Sequence, residues 1–268
     1  MYQYLIIGIP RSGTTVIHKA LMQHPNVSVL TDELRVSPFF DLGILTYTFG
    51  NEMPDERKAA RNSIFNAITS LSKKEGTTHY GAKTCSTTLP SVAKMIVRIL
   101  RTDFPDMRII LIEREDIVAQ YGSVISAKKS GVYHSWSKGA NSMEVKKRYL
   151  NPIRFLIYAM NCLEVNGILS DLKDSHNVYK VVYERFCIDP AEELKNIFNF
   201  LGLQEAQITI NSKKVMPSAE KYIVNYNSLK KIETWIRKRY SSKRIPAVLY
   251  LLTNLQHLLH TLRFRLQL

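Results

Sequence analysis

Short apolar runs alternate with amphipathic segments along the 268 residues of the chain. Residues 2–9 (YQYLIIGI) and 107–112 (MRIILI) are almost continuously apolar and rich in isoleucine. Runs of this length and composition predict strands that are buried on both faces of a sheet. Weaker runs predict further strands at 27–30, 79–84 and 177–183.

Between these runs, apolar residues recur at the three- and four-residue spacing that is typical of helices. Residues 143–169 have this pattern, and we expect Pro152 to interrupt the helix there and divide it in two. The same spacing predicts helices at 14–23, 59–73, 90–100 and 117–129.

One more helix has clear start and stop signals. Asp189 is a suitable cap, Pro190 suits the first helical position, and Glu192 is placed to complete a capping box. We expect this helix to run to Phe200, because Gly202 is a common helix terminator.

Strands and helices therefore alternate along the chain. Alternation of uniformly apolar strands with helices predicts an α/β fold, in which a parallel sheet is covered by helices on both faces. The chain shows no internal repeat and no clear linker, so we expect one domain over residues 1–242, followed by an amphipathic helix at 243–268.

The net charge of +14 favours anionic partners, which include nucleotides, sulfated groups, nucleic acid and acidic membrane surfaces. The three cysteines, at 85, 162 and 187, are widely spaced, which argues against a disulfide framework or a zinc site and favours the cytosol. The first residues lack the basic region of a signal peptide, and no run reaches the ~18 apolar residues of a membrane-spanning helix.

The junction after the first strand carries the strongest motif. Residues 8–15 (GIPRSGTT) have the two glycines of a nucleotide phosphate loop, but Thr14 occupies the position of its lysine. A loop between a strand and a helix turns backbone N–H groups and the helix dipole towards an anion. A 5′-phosphate followed by a sulfate carries less charge than a triphosphate, so Arg11 is sufficient as the loop cation.

A second anion site is predicted after the strand at 107–112. Arg114 follows that strand, and Ser123 lies nine residues further on, within the next helix. An arginine and a hydroxyl near the carboxyl end of a strand can bind a phosphate group. A nucleotide with phosphate groups on both the 5′ and the 3′ carbon of adenosine would engage both sites.

With these two motifs the sequence resembles the sulfotransferases that use 3′-phosphoadenosine 5′-phosphosulfate (PAPS). PRSGTT is similar to the 5′-phosphosulfate loop of that family, and EREDIVAQYGSVISAKKSGVYH is similar to its 3′-phosphate motif, above all in bacterial sugar sulfotransferases of the trehalose type. YERFCIDPAEELKNIFNFLGL resembles a later strand–helix unit of the family, and KYIVNYNSL resembles a stretch of its bacterial members.

The resemblance implies a parallel sheet with flanking helices, PAPS as donor, adenosine 3′,5′-bisphosphate as product, and no metal. It places the 3′-phosphate on Arg114 and Ser123. It places the 5′-phosphosulfate on Arg11, Ser12, Gly13, Thr14 and Thr15.

The catalytic base differs from that of the branch of the family that acts on small molecules. A catalytic histidine stands in a K-T-H string in that branch, whereas this chain has Lys83-Thr84-Cys85. The trehalose-type members have a carboxylate after the first helix, which favours Glu33 as the base, with Asp32 as the alternative. Lys83 is a candidate second cation at the sulfonate, and His18 and His79 are weaker candidate bases.

The acceptor is expected to be a small molecule or a glycolipid, and the resemblance alone favours a sugar hydroxyl. Pro38, Phe39, Phe40, Tyr47 and Phe49 could form an aromatic wall for it. Two other classes remain open. A kinase-like enzyme would need a loop lysine, which this chain lacks, and a nucleic-acid-binding module would need a basic stripe or motif, which is also missing.

The segment at 243–268 has leucines at helical spacing, bracketed by lysine and arginine. It predicts a helix that packs on the domain or on a second subunit. The alternative is an interfacial helix that holds a cytoplasmic enzyme against anionic lipid.

Overall fold

The structure is a computed structural model that describes residues 2–30, 61–62, 64–66, 76–85, 88–130, 146–210 and 218–241. Within these ranges, five strands form one sheet in which every pairing is parallel. The strand order is β2-β3-β1-β4-β5. The strands are β1 (Tyr2–Gly8), β2 (Val27–Val29), β3 (His79–Cys85), β4 (Arg108–Glu113) and β5 (Val178–Val182).

Helices connect and follow these strands, as the alternating pattern predicts. Residues 61–62 and 64–66 are also helical, and a 3-10 helix covers Asp171–Asp174. The α-helices are α1 (Thr14–Leu21), α2 (Pro90–Asp103), α3 (Ile117–Ser130), α4 (Pro152–Ser170), α5 (Tyr183–Ile188), α6 (Pro190–Leu201), α7 (Ala219–Tyr222) and α8 (Tyr226–Ser241).

The two faces of the sheet bury separate cores. Leu5 and Ile7 of β1 pack with α2, α3, α4 and α8, whereas Tyr4 and Ile6 pack on the opposite face with α1 and α6. Successive side chains of a strand point to opposite faces, so an uninterrupted apolar run is needed to fill both cores. The predicted α/β fold, with helices on both faces of a parallel sheet, is confirmed.

Pro152 was expected to interrupt a helix, and that prediction is wrong. It is the first residue of α4, and residues 146–151 before it are not helical. The Asn151 side chain caps α4 by accepting hydrogen bonds from the backbone N–H groups of Ile153 and Arg154. Proline suits the first position of a helix because its missing N–H would have no partner there.

The start of α6 corrects a second detail. Asp189 caps the helix as predicted, because its carboxylate accepts a hydrogen bond of 3.0 Å from the Glu192 N–H. Glu192 does not complete the capping box, since the Asp189 N–H donates to the Arg185 carbonyl of α5 instead. The sequence had not indicated α5, which directly follows β5 at Tyr183.

The strand order predicts a ligand-binding crevice at the carboxyl end of β1. This strand lies between β3 and β4, and the chain continues from it towards β2 on one side of the sheet, whereas β4 and β5 lie on the other side. Such a switch point leaves a crevice beyond the carboxyl ends of the strands, where ligands bind in open α/β sheets. Within the described residues, no helix combines the length and the hydrophobicity that crossing a bilayer requires.

Candidate active site

The segment between β1 and α1 forms a tight, left-handed loop at this crevice. Arg11 has φ 68° and Gly13 has φ 101°, and the Ser12 N–H donates to the Ile9 carbonyl at 3.1 Å. A side chain at Gly13 is excluded, because its Cβ would lie 2.3 Å from the Tyr183 ring. Glycine is therefore required at this position for both backbone conformation and space.

Arg11 connects the two anion sites that the sequence predicts. Its Nε donates a hydrogen bond of 2.9 Å to the Ser123 hydroxyl on α3, 112 residues away in the chain. Its carbonyl accepts a hydrogen bond of 3.1 Å from Nη1 of Arg114. Arg11 of the loop thus contacts both residues of the second predicted site, Arg114 and Ser123.

Arg114 is held from two sides and is only 12% exposed. Its guanidinium lies over the Tyr183 ring, 5.0 Å from the ring centre. Its Nε lies 3.7 Å from the Glu184 carboxylate, which also accepts hydrogen bonds from the N–H groups of Glu115 and Asp116. Glu184 therefore fixes both the Arg114 side chain and the turn that leads into α3.

Lys83 places a second cation next to the loop. It lies on β3 opposite Ile6 of β1, and it is buried. Its Nζ donates a hydrogen bond of 3.2 Å to the Thr15 hydroxyl in the first turn of α1. A lysine from the neighbouring strand thus reaches the phosphate loop, although Thr14 occupies the usual lysine position.

Two buried polar atoms at the loop have no hydrogen-bond partner among the described residues. They are the Ser12 hydroxyl oxygen and Nε of Arg114. Buried polar groups are almost always hydrogen-bonded in folded proteins, so each exception needs an explanation. A bound anion at the loop would accept a hydrogen bond from the Ser12 hydroxyl, whereas Nε of Arg114 lies 3.7 Å from the Glu184 carboxylate.

The two histidine candidates lie in structural positions. Nε2 of His18 is 2.8 Å from the Leu30 carbonyl, and the residue is buried in α1. His79 begins β3, six residues before Cys85, which pairs with Gly8. At about 3.3 Å per residue, His79 is roughly 20 Å from the loop. This distance excludes it as the base.

The remaining candidates are distributed differently. Thr14 is buried at the start of α1. Glu33, Asp32 and the aromatic residues at 38–49 lie outside the described residues, as does the segment at 243–268. In the described part of the chain, no group of three or more His, Cys, Asp or Glu residues could hold a metal ion.

Arg148 was not identified from the sequence. Its Nη1 donates a hydrogen bond of 3.2 Å to the hydroxyl of Ser126, one helical turn beyond Ser123. Its main chain pairs with Ile223, within the KYIVNYNSL stretch. The serine at three-residue spacing from Ser123 was a usable signal, but nothing local to residue 148 pointed to it.

Three solved structures illustrate the likeness to known proteins. A sulfotransferase from Alicyclobacillus acidocaldarius is 12% identical, with TM-score 0.48, over 93% of this chain and 99% of its own. The sulfotransferase domain of the Synechococcus PCC 7002 olefin synthase is 18% identical, with TM-score 0.47, over 95% and 92%. A mouse sulfotransferase complexed with PAP is 14% identical, with TM-score 0.47, over 94% and 88%.

No curated protein sequence matches the chain significantly. The model of the sulfotransferase family matches residues 4–207, which is more than half of the chain and includes the loop, Lys83, Arg114 and Ser123. On this match, the chain belongs to the sulfotransferase family.

Proposed function

We propose that this protein transfers a sulfonate group from PAPS to a hydroxyl group of a sugar or glycolipid. Family membership supports sulfonate transfer in general. The observation that carries the choice of donor is the contact of Arg11 with both Ser123 and Arg114. A nucleotide that bears anionic groups on two carbons of one ribose needs two anion sites in contact with each other.

The groups at the loop suit the two ends of this donor. Ser12, Gly13, Thr14 and Thr15 would hold the 5′-phosphosulfate through backbone N–H groups, hydroxyls and the positive end of the α1 dipole. Arg114 and Ser123 would hold the 3′-phosphate. The buried Ser12 hydroxyl, which has no partner among the described residues, fits this proposal because an anion would complete its hydrogen bonding.

The transfer is an in-line displacement at sulfur. The acceptor oxygen forms a bond to sulfur while the bond between sulfur and the 5′-phosphate oxygen breaks, and adenosine 3′,5′-bisphosphate leaves. Glu33 takes the proton of the acceptor hydroxyl, with Asp32 as the alternative base. Lys83 and Arg11 stabilise the negative charge that grows on the leaving oxygen, an effect that is strong in a buried site.

A panel of three ligands tests the donor. We expect adenosine 3′,5′-bisphosphate to raise the melting temperature of the protein, and ATP with Mg²⁺ or a short oligonucleotide to raise it much less. A stronger effect of ATP with Mg²⁺ would favour a kinase-like enzyme, and a stronger effect of the oligonucleotide would favour a nucleic-acid-binding module. Transfer of label from radioactive PAPS to a panel of sugars and glycolipids then tests the acceptor.

The base is tested by a pair of variants. Glu33→Gln keeps the shape of the side chain but cannot take a proton, so kcat should fall about 10²–10⁴-fold while the Kd for adenosine 3′,5′-bisphosphate stays nearly constant. Asp32→Asn is the matched control and should retain most activity. The reverse result would assign the role to Asp32.

A further inference from the structure

Two serines of α3 are arranged alike. Ser123 and Ser126 are both buried, and each hydroxyl oxygen accepts a hydrogen bond from an arginine. Residues three apart lie about 5–6 Å from each other on one side of a helix. A serine that accepts from an arginine still has its own O–H to donate. Both hydroxyls can therefore donate to a single phosphate group placed between them.

The arginines that contact these serines surround one site. Burial of the ring raises the pKa of the Tyr222 hydroxyl, as does the charge of Asp116, whereas the charges of Arg114, Arg148 and Arg11 act to lower it. The Tyr222 hydroxyl lies against α3, 2.7 Å from where a Cβ of Gly122 would stand. The hydrogen bonds from Arg11 to Ser123 and from Arg148 to Ser126 end on serines one helical turn apart, and this spacing points to one anion site rather than two separate ones.

The carboxylate of Asp116, whose charge also acts on Tyr222, is already engaged. Asp116 accepts hydrogen bonds from the Ala119 N–H at 3.0 Å and from the Tyr226 hydroxyl at 2.9 Å. It also lies 3.5 Å from Lys230. Among the described residues, the side-chain hydrogen bond of Arg148 goes to a neutral hydroxyl, so the positive charge of Arg148 is available to an anion.

The segment that carries Arg148 is held by the KYIVNYNSL stretch. The Arg148 N–H donates to the Tyr222 carbonyl at 2.7 Å, and the Arg148 carbonyl accepts from the Val224 N–H at 2.8 Å. Two residues on, the Asn225 side chain accepts from the Leu150 N–H at 3.0 Å and donates to the Leu150 carbonyl at 2.8 Å. These bonds fix the chain on both sides of Arg148.

From this arrangement we infer that Arg148 and Ser126 are further ligands of the 3′-phosphate of the donor, and that Asn225 is a positioning residue that holds Arg148 in place. The inference rests on the proposed function, since it names additional residues for the same donor site. It also gives the KYIVNYNSL stretch a role, which is to bring a cation from outside the two main motifs to the phosphate.

The test compares adenosine 3′,5′-bisphosphate with adenosine 5′-phosphate by calorimetric titration. Arg148→Ala should weaken binding of the bisphosphate about tenfold or more, because a charge-assisted contact is lost, and should change binding of the 5′-phosphate less than about twofold. Ser126→Ala should have a smaller effect with the same selectivity. Lys147→Ala removes an exposed charge next in the chain, and this control should bind both nucleotides as the wild type does.

Asn225 is tested by kinetics. Asn225→Ala should raise the KM for PAPS and leave kcat nearly unchanged, because it displaces a binding group and not the reacting atoms. Asn225→Asp keeps the oxygen that accepts from Leu150 and should partly restore the KM. The positioning role would be overturned if Asn225→Ala lowered kcat without raising the KM for PAPS. It would also be overturned if this variant bound the bisphosphate as tightly as the wild type does.

The outcomes separate this inference from the proposed function. If the wild type does not prefer the bisphosphate to the 5′-phosphate, the proposed donor itself is wrong. If the wild type has this preference and Arg148→Ala keeps it, or weakens both nucleotides equally, only the role of Arg148 is overturned. A change confined to the KM of the acceptor would likewise remove Arg148 from the donor site.

Discussion

Polar side chains are buried differently at the two ends of the parallel strands, called here the amino edge and the carboxyl edge of the sheet. At the amino edge, His24, His79 and His176 each have both ring nitrogens within hydrogen-bond distance of a partner, and one nitrogen of each lies near a backbone carbonyl. At the carboxyl edge, the Ser12 hydroxyl and Nε of Arg114 are buried without a hydrogen-bond partner among the described residues.

The three histidines and the two groups at the loop therefore differ in whether the described part of the chain supplies their hydrogen-bond partners. A buried polar group without a partner destabilises the folded protein by roughly 1–3 kcal/mol. These three histidines avoid this loss through partners in the chain itself, whereas the Ser12 hydroxyl has no partner among the described residues. Judged by residue type alone, histidines are the more usual catalytic candidates, yet here they serve the fold.

The largest effect at the carboxyl edge is expected from Arg11→Ala. This variant removes the cation that contacts Ser123, and a charge-assisted hydrogen bond contributes about 1.5–3 kcal/mol, which is roughly 10–100-fold in donor affinity. Transfer should fall by more, because Arg11 also stabilises the leaving group. Titration with adenosine 3′,5′-bisphosphate and a transfer assay measure the two effects.

Arg11→Lys is the matched variant. Like Arg11→Ala, it places a non-glycine residue at the left-handed backbone position 11, but it keeps the positive charge. It should therefore retain much of the affinity for adenosine 3′,5′-bisphosphate. If Arg11→Lys were as weak as Arg11→Ala, the specific bond from Nε to Ser123 would matter more than the charge.

Arg114→Ala is expected to have the next largest effect, and it distinguishes two roles of this side chain. If Arg114 is a ligand of the 3′-phosphate, its loss should weaken binding of the bisphosphate at least about tenfold and change binding of adenosine 5′-phosphate little. The hydrogen bond from Nη1 to the Arg11 carbonyl suggests a second role in supporting the loop. Equal losses for both nucleotides would assign Arg114 to that support alone.

The sequence predicted those parts of the molecule that depend on neighbouring residues. The strands and the loop at 8–15 follow from local spacing, and the contact of Arg11 with Ser123 brings the loop together with the segment that carries Arg114. Arg114 itself contacts the Arg11 carbonyl and Glu184, so its pairing with Ser123 on one anion stays a prediction. Lys83 was predicted as a second cation at the sulfonate, and it lies within β3, two residues before the end of the strand. The loop, Lys83 and Arg114 lie at or near the carboxyl ends of parallel strands, where topology brings them together.

The sequence could not predict contacts between distant segments, or the role of a residue that suits two different positions in a helix. Arg148 reaches α3 through a pairing with Ile223, 75 residues further on, and no local pattern encodes that pairing. Proline disrupts a helix interior but suits a helix start, so Pro152 alone was ambiguous. Asn151, a good capping residue directly before it, was the signal for a helix start.

At the amino edge, His79→Gln should change stability and leave binding unchanged. Burial lowers the pKa of His79 from its ordinary value of about 6.5. As the pH falls below that value, the unfolded chain takes up a proton more readily than the folded protein, so the free energy of unfolding decreases. The glutamine cannot titrate, so the variant should lose this part of the pH dependence.

Denaturant unfolding at pH 7.5 and at pH 5.5 measures this effect. At the higher pH the variant should be less stable by about 1–2 kcal/mol, since one of the two hydrogen bonds of His79 is disturbed. The Kd for adenosine 3′,5′-bisphosphate is the control and should not change. A change in Kd at constant stability would contradict the division of roles between the two edges.

The smallest effect, and the sharpest test of the comparison, is expected from Ser12→Ala. In the free protein the Ser12 hydroxyl is buried without a partner among the described residues, so its removal should leave the free energy of unfolding unchanged or raise it by up to about 1 kcal/mol. Binding of adenosine 3′,5′-bisphosphate should weaken about five- to tenfold, because the anion loses one hydrogen bond. Ser175→Ala is the control at the amino edge, where the hydroxyl of the exposed Ser175 forms hydrogen bonds with His176 and Arg101. The control should lose stability and keep its affinity, the opposite of Ser12→Ala. If both variants were destabilised alike and bound the nucleotide alike, the hydroxyl at the loop would be an ordinary structural group and the two edges would not differ in function.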